Sequence, residues 1–250
     1  MEIELYFSSL NEIEFNKGTV GSIASINNAV FPDWESADVV VLSVDEKRGD
    51  SNYYQEDLDH YEIRDKFYQF RYNGKCKIAD LGILKAGASI RDTFLALKEI
   101  TSIVQKQQKF LIILGGTQDL TFANYLGYEE LEQTVNLTCV DSCFNIEIEK
   151  EGDINKNNFI NHLLLQQPSY LFNFSLLGFQ QFYVGEEEFR FFDDLYFDYL
   201  RLGDLQKSIE KAEPILRNTD ILSVDLSSIR ASEFSGSIGA GPNGFFGNEI

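Results

Sequence analysis

A chain of 250 residues with 44% hydrophobic and 14% aromatic content can bury one sizeable core, so a single domain over residues 1–250, with its ordered core at about 37–250, is expected. Forty acidic against 21 basic side chains give a formal charge of −19, which repels phosphate backbones and anionic lipid and argues against nucleic-acid and membrane partners. The acidic start MEIELYFSSLNEIEFNKG lacks a secretory pattern, no later segment offers the roughly 18 apolar residues of a membrane span, and Cys76, Cys139 and Cys143 form no C-x-x-C pair, so a cytoplasmic protein with reduced thiols is expected.

Along the chain, ADVVVLSVD (37–45) reads as the first buried strand. The stretch 45–69 is polar and tyrosine-rich, loop-like before a helical ending; His60 within it reads as a surface residue. Residues 89–106 place Ile90, Phe94, Leu97, Ile100 and Val104 at three- and four-residue steps, the period of a helix packed on one face. Strands follow at KFLIILGG (109–116), VNLTCVD (135–141), FSLLGF (174–179) and DILSVDL (220–226). Between them, 147–158 (EIEKEGDINKNN) reads as a solvent-exposed insertion, His162 as part of a packed helix, and 205–217 as a further helix. The aromatic-rich stretch 188–202 reads as core, with a subunit contact as the other possibility. Alternating strands and helices imply an α/β fold of three layers, a mainly parallel twisted sheet flanked by helices.

Ligands of such sheets gather at the carboxyl ends of strands. Three ends are chemically suggestive. In LGGTQDLTFANYLGY (114–128), Gly115 and Gly116 permit a tight turn, and Thr117 or Asp119 could cap the next helix. In VDSCFN (140–145), Asp141, Cys143 and Asn145 alternate, so an extended backbone would point all three the same way. In SVDLSS (223–228), Asp225 and Ser227 stand in the same relation. An aspartate ending a buried strand also commonly caps the turn that follows. The glycines 236, 239, 241 and 244 open no visible helix and have no lysine, so they read as loop rather than as a phosphate cradle.

In this order the three motifs resemble the ureohydrolase family of arginase, agmatinase and formiminoglutamase, whose Gly-Gly-x-His, Asp-x-His-x-Asp and Ser-x-Asp-x-Asp segments hold two bridged manganese ions. IADLGIL (78–84) is similar to the family's Asp-x-Gly strand and EIRDKFYQF (62–70) to its Ile-Arg helix, LTFANYLGY (120–128) is similar to the formiminoglutamase branch, and GPNGFFGNE (241–249) to the segment carrying a further carboxylate, here Glu249. The resemblance implies an arginase-like sheet of eight strands in a complete protein, so that this chain would lack one or two of them, and a homo-oligomer. It makes Asp141 and Asp225 the residual metal-site positions. Gln118 and Cys143 stand where it expects histidine, and Asn145 and Ser227 where it expects carboxylates. His162 falls where the family has a loop that contacts substrate.

Two hard cations need several anionic oxygens and imidazoles. With four of six positions changed, the expectation is no metal cofactor and a pseudoenzyme, that is, a non-catalytic scaffold or binding protein. The alternative is a hydrolase of a linear C–N bond in a guanidino or formimino compound, using manganese or zinc as a weak or single ion. A third reading makes Cys143 a nucleophile.

Overall fold

The computed structural model describes residues 3–11, 14–50, 60–147, 152–234 and 239–250. It is α/β, with parallel sheets flanked by helices, as expected. The chain forms two compact units, Met1–Leu131 and Glu132–Ile250. Hydrogen bonding between strands makes one sheet in each unit.

The first unit runs through β1 (Phe7–Ser8), α1 (Val20–Ile23), β2 (Ser25–Ile26), β3 (Val39–Val44), α2 (Glu62–Gln69), β4 (Ile78–Leu84), α3 (Ile90–Lys106), β5 (Phe110–Leu114) and α4 (Leu120–Leu126). Its sheet has the order β1-β4-β3-β5, with β2 also on β4, and all pairings are parallel except that of β1. Central β3 and β4 are apolar and buried nearly throughout, which is why they read as unbroken hydrophobic runs rather than alternating ones. Ser89 caps α3 in a capping box with Asp92, and Phe94, Leu97, Ile100 and Val104 are buried as their spacing requires, each contributing about 1.5–3 kcal/mol. The N-terminal residues, left out of the expected core, contribute buried Ile3, Phe7, Leu10, Val20 and Trp34.

One polar network joins the elements of this unit. Arg64 on α2 is fully buried and uses every N–H it has: Nε and Nη2 donate to Asp80 of β4 at 2.7 and 3.0 Å, Nη1 to Ser43 Oγ and the His60 carbonyl, and Nη2 also to the Gly82 carbonyl. Asp80 accepts further bonds from the Tyr68 hydroxyl and from Gly82 N at 2.8 Å. Burial and the Asp80 charge drive the Tyr68 hydroxyl far above its ordinary pKa, so it stays a donor. Gly82 has φ +90°, and a Cβ there would lie 2.3 Å from the Ser8 carbonyl oxygen, so glycine is required. His60 corrects the sequence expectation. It is buried, its ring Nε2 is 3.4 Å from Asp45 Oδ1, and its carbonyl serves Arg64.

The second unit runs through β6 (Val135–Val140), α5 (Phe159–Leu165), β7 (Leu171–Phe179), α6 (Glu186–Asp194), β8 (Asp198–Arg201), α7 (Leu202–Leu205), α8 (Glu213–Arg217) and β9 (Ile221–Val224). Its sheet, β8-β7-β6-β9, is parallel throughout. The expected helix at 205–217 is broken into α7, a 3-10 turn and α8, because Ser208 takes an extended φ and Pro214 starts a new helix. Phe189, Phe192, Phe197 and Tyr199 pack around Phe144, Phe174 and Phe179 with ring centroids 4.2–6.4 Å apart, so most of the aromatic stretch is core, while Tyr196 is exposed. Of the expected insertion, residues 148–151 lie outside those described; Asn158 is buried and its Oδ1 accepts from Asn155 N at 2.8 Å. Residues 51–59 and Gly236 likewise lie outside. Among the described residues no helix is long and apolar enough to cross a membrane.

Asp80→Asn would leave the buried Arg64 guanidinium without its counter-charge and is expected to cost about 3–5 kcal/mol of stability. Tyr68→Phe removes one neutral donor and should cost about 1–2 kcal/mol. Urea unfolding of both variants distinguishes a network held by charge from one held by packing, which would give equal losses.

Candidate functional site

Each sheet has a switch point, where consecutive connections leave in opposite directions, the place at which such sheets bind ligands. In the second unit the chain passes from β6 to β7 and β8 on one side and returns to β9 on the other. Val140 pairs with Val224 in register, so Asp141 and Asp225 emerge side by side from neighbouring strands about 4.8 Å apart. Asp225 N donates to the Val140 carbonyl at 3.0 Å, which holds the two strand ends together up to these residues.

The two carboxylates are treated differently. Asp225 is half-buried and caps a 3-10 turn, with Ser227 N donating to its Oδ1 at 2.6 Å. Asp141 is buried; its Oδ1 accepts from Cys143 N at 3.2 Å and its Oδ2 from the Asn145 side-chain amide at 2.6 Å. Burial and the neighbouring Asp225 charge push the Asp141 carboxyl up to about 7, against the pull of those donors. The alternation expected for Asp141, Cys143 and Asn145 does not occur, because β6 ends at Val140 and the chain turns. Asn145 sits at φ +53°, a left-handed conformation that asparagine tolerates, and this turn is what aims its amide back at Asp141.

Cys143 is half-buried with its sulfur 3.5 Å from Ser142 Oγ. Burial pushes its thiol up to about 11, and the Asp141 and Asp225 charges add to this, which disfavours a thiolate nucleophile at neutral pH. The structure thus brings Asp141, Cys143, Asn145, Asp225 and Ser227 to one switch point. Gln118 lies in the first unit, between β5 and α4. Glu249 turns onto its own loop, its Oε2 accepting from Phe246 N at 2.8 Å, and His162 is half-buried on α5.

Two residues went unrecognised in the sequence. Gln180, at the end of β7, donates its backbone N–H to the Ser142 carbonyl at 2.9 Å and exchanges side-chain hydrogen bonds with Asn243, fixing the loop 241–245 beside Asp141. Glu46, just past β3, is buried and held by Arg48 and Thr93, with its carbonyl accepting from Thr117 N. Only its position two residues beyond a buried strand would have drawn attention to it. The expected cap of α4 is also absent. The Asp119 side chain accepts no capping hydrogen bond, and Leu120 N donates to the Thr117 carbonyl.

No protein-family model matches the chain, and no curated protein matches it in sequence. Its fold, however, is that of the arginase and ureohydrolase structures. It superposes on formiminoglutamase of Trypanosoma cruzi, solved with Mn2+, with a TM-score of 0.80 at 16% identity, covering 94% of this chain and 83% of that one. Formimidoylglutamase of Bacillus subtilis gives 0.79 at 14% identity over 96% and 80%, and agmatine ureohydrolase of Thermoplasma volcanium 0.64 at 19% over 94% and 80%.

Two bridged manganese ions do not fit the residues present. Gln118 and Asn145 offer amides, Ser227 a hydroxyl and Cys143 a thiol better suited to softer ions than manganese, leaving Asp141 and Asp225 as the carboxylate donors. Among the described residues, no group of three or more His, Cys, Asp and Glu side chains could hold a metal ion.

The raised Asp141 pKa has a sign that can be tested. Because the folded-state value lies above the ordinary carboxylate value, stability present at acid pH is lost as pH rises from about 4 through about 7. Asp141→Asn removes that loss, so in chelator the variant should gain about 2–4 kcal/mol on the wild type between pH 4.5 and pH 8. Urea unfolding at the two pH values measures it, and a pH-independent difference would refute the assigned strain.

Proposed function

We propose that this ureohydrolase-fold chain is a pseudoenzyme, a non-catalytic binding or scaffold protein in which hydrogen bonds replace the dimetal centre. The observation that carries this reading is the Asn145 amide donating to Asp141 Oδ2 at 2.6 Å. A carboxylate bridging cations uses several of its lone pairs, and here an N–H occupies one of them. The Ser227 backbone N–H does the same at Asp225 Oδ1. What remains is one partly neutralised carboxylate pair, suited to holding a small polar or cationic group and lacking the charge to polarise water.

A second reading keeps catalysis: hydrolysis of a linear C–N bond in a guanidino or formimino compound, with one manganese or zinc ion at Asp141 and Asp225. It is favoured by the T. cruzi structure of the same fold, which carries Mn2+.

Elemental analysis after incubation with manganese or zinc, with Asp141→Ala as control, separates the two. The pseudoenzyme should retain well under one ion per chain and hydrolyse neither formiminoglutamate nor guanidino compounds. Near-stoichiometric metal that is lost in the control, together with turnover, would establish the hydrolase. Rebuilding the donors by Gln118→His, Cys143→His, Asn145→Asp and Ser227→Asp should raise manganese affinity at least tenfold, about 1.4 kcal/mol.

A further inference from the structure

Asparagine is followed by glycine twice in the chain, at Asn73 and Gly74 and at Asn243 and Gly244. The pair is chemically labile, because the glycine nitrogen, with no side chain beside it to shield it, attacks the asparagine Cγ. An N–C bond forms, the Cγ–Nδ2 bond breaks and ammonia leaves a succinimide, which water opens to aspartate or isoaspartate. Water is the one co-reactant, so the rate depends on how freely the side chain and the next peptide group reach attack geometry.

The two pairs are held very differently. Asn73 and Gly74 lie in the loop between α2 and β4, where residues 73–77 are all exposed. Among the described residues nothing bonds to the Asn73 side chain, and no backbone hydrogen bond holds the Gly74 N–H. Tyr72 closes this loop, its hydroxyl donating to the Cys76 carbonyl at 3.0 Å and its ring lying against the Gly74 α-carbon, and leaves the Asn73 amide untouched.

Asn243 is also exposed, yet its surroundings are fixed. Its Nδ2 donates to Gln180 Oε1 at 3.2 Å, and its carbonyl accepts from Gln180 Nε2 at 3.1 Å. The Gly244 carbonyl accepts from Gln206 Nε2 at 3.2 Å and from Arg230 Nη2 at 3.0 Å. Gly244 is buried so tightly that a Cβ there would lie 2.4 Å from Arg230 N. The amide that would leave and the peptide groups on both sides of Gly244 are therefore anchored.

We propose that Asn73 is a site of spontaneous deamidation in the folded protein and that Gln180 protects Asn243 from the same reaction. An acid at position 243 would lose the amide donor to Gln180 and add negative charge to the loop beside Asp141, where two carboxylates already repel. At Asn73 the conversion meets no such restraint and adds a charge to an exposed loop. Neither half depends on the function assigned to Asp141 and Asp225.

Incubating the full chain for days at mildly alkaline pH and mapping it with trypsin tests both halves, since cleavage after Arg71, Lys75 and Arg230 puts the two asparagines on separate peptides, 72–75 and 231–250. Mass spectrometry with fragmentation then reads the amide-to-acid conversion at each asparagine. In the native protein Asn73 should convert roughly tenfold faster than Asn243, and in urea the two rates should agree to within a factor of about three. Gln180→Ala should raise the Asn243 rate several-fold and leave the Asn73 rate unchanged. Equal native rates would overturn the proposal, as would an Asn73 that stays intact. An Asn243 rate unmoved by Gln180→Ala would remove the protective role of Gln180. Should that variant fail to fold, Gln180→Glu, which loses the donor to the Asn243 carbonyl, must raise the Asn243 rate, and an unchanged rate would have the same force.

Discussion

A carboxylate removed from water must be given donors or a counter-charge, and in a chain with 40 acidic side chains this constraint shapes each unit. Asp80 meets it fully, with two guanidinium N–H groups, a phenol and a backbone amide. Because those donors come from α2 and β4, and the same guanidinium reaches Ser43 on β3, satisfying one acid also fixes a helix against two central strands. Glu46 is met by Arg48 and Thr93, which ties the loop after β3 to α3. Asp141 is met by neutral donors, the Cys143 and Asn145 amides and the Ser142 hydroxyl. Asp119, buried beneath Gly49, responds instead by a carboxyl whose pKa burial pushes up to about 6.

The contrast between Asp80 and Asp141 bears on function. A guanidinium is a full charge in a rigid fork, so the Asp80 site is closed and structural. Amide donors are dipoles, which soften the repulsion between Asp141 and Asp225 without cancelling it, and the carboxyl responds by holding its proton to about pH 7. Had histidines and carboxylates occupied the positions of Gln118, Cys143, Asn145 and Ser227, divalent cations could have supplied the missing charge. Cations and hydrogen bonds are two solutions of the same electrostatic problem, and at Asp141 hydrogen bonds are present. The fold does not depend on which solution is used, since the strands are held by backbone ladders and apolar burial, and at 14–19% identity the architecture persists.

Much of this was legible in the sequence. Unbroken apolar runs located β3, β5, β6, β7 and β9, and the period of 89–106 located α3 with its buried face, because burial on a strand or a helix leaves a one-dimensional pattern. Order and spacing of the strand-end motifs gave the ureohydrolase likeness, while the pairing of β6 with β9 is what sets Asp141 beside Asp225. The broken helix at 205–217 was not legible, since apolar spacing is similar in one helix and in two short ones with a turn between them.

The side-chain direction of several other polar residues was decided by tertiary structure. His60, in an acidic stretch, read as surface yet is buried because Arg64 needs its carbonyl. Asp119 read as a helix cap yet faces Gly49, while Asn145 turns through a left-handed backbone to reach Asp141. Hydrophobic burial repeats along a chain with the period of its element and so can be read there. Partners of a buried charge come from segments distant in sequence, such as Arg64 for Asp80, and only the folded chain brings those atoms within hydrogen-bonding distance.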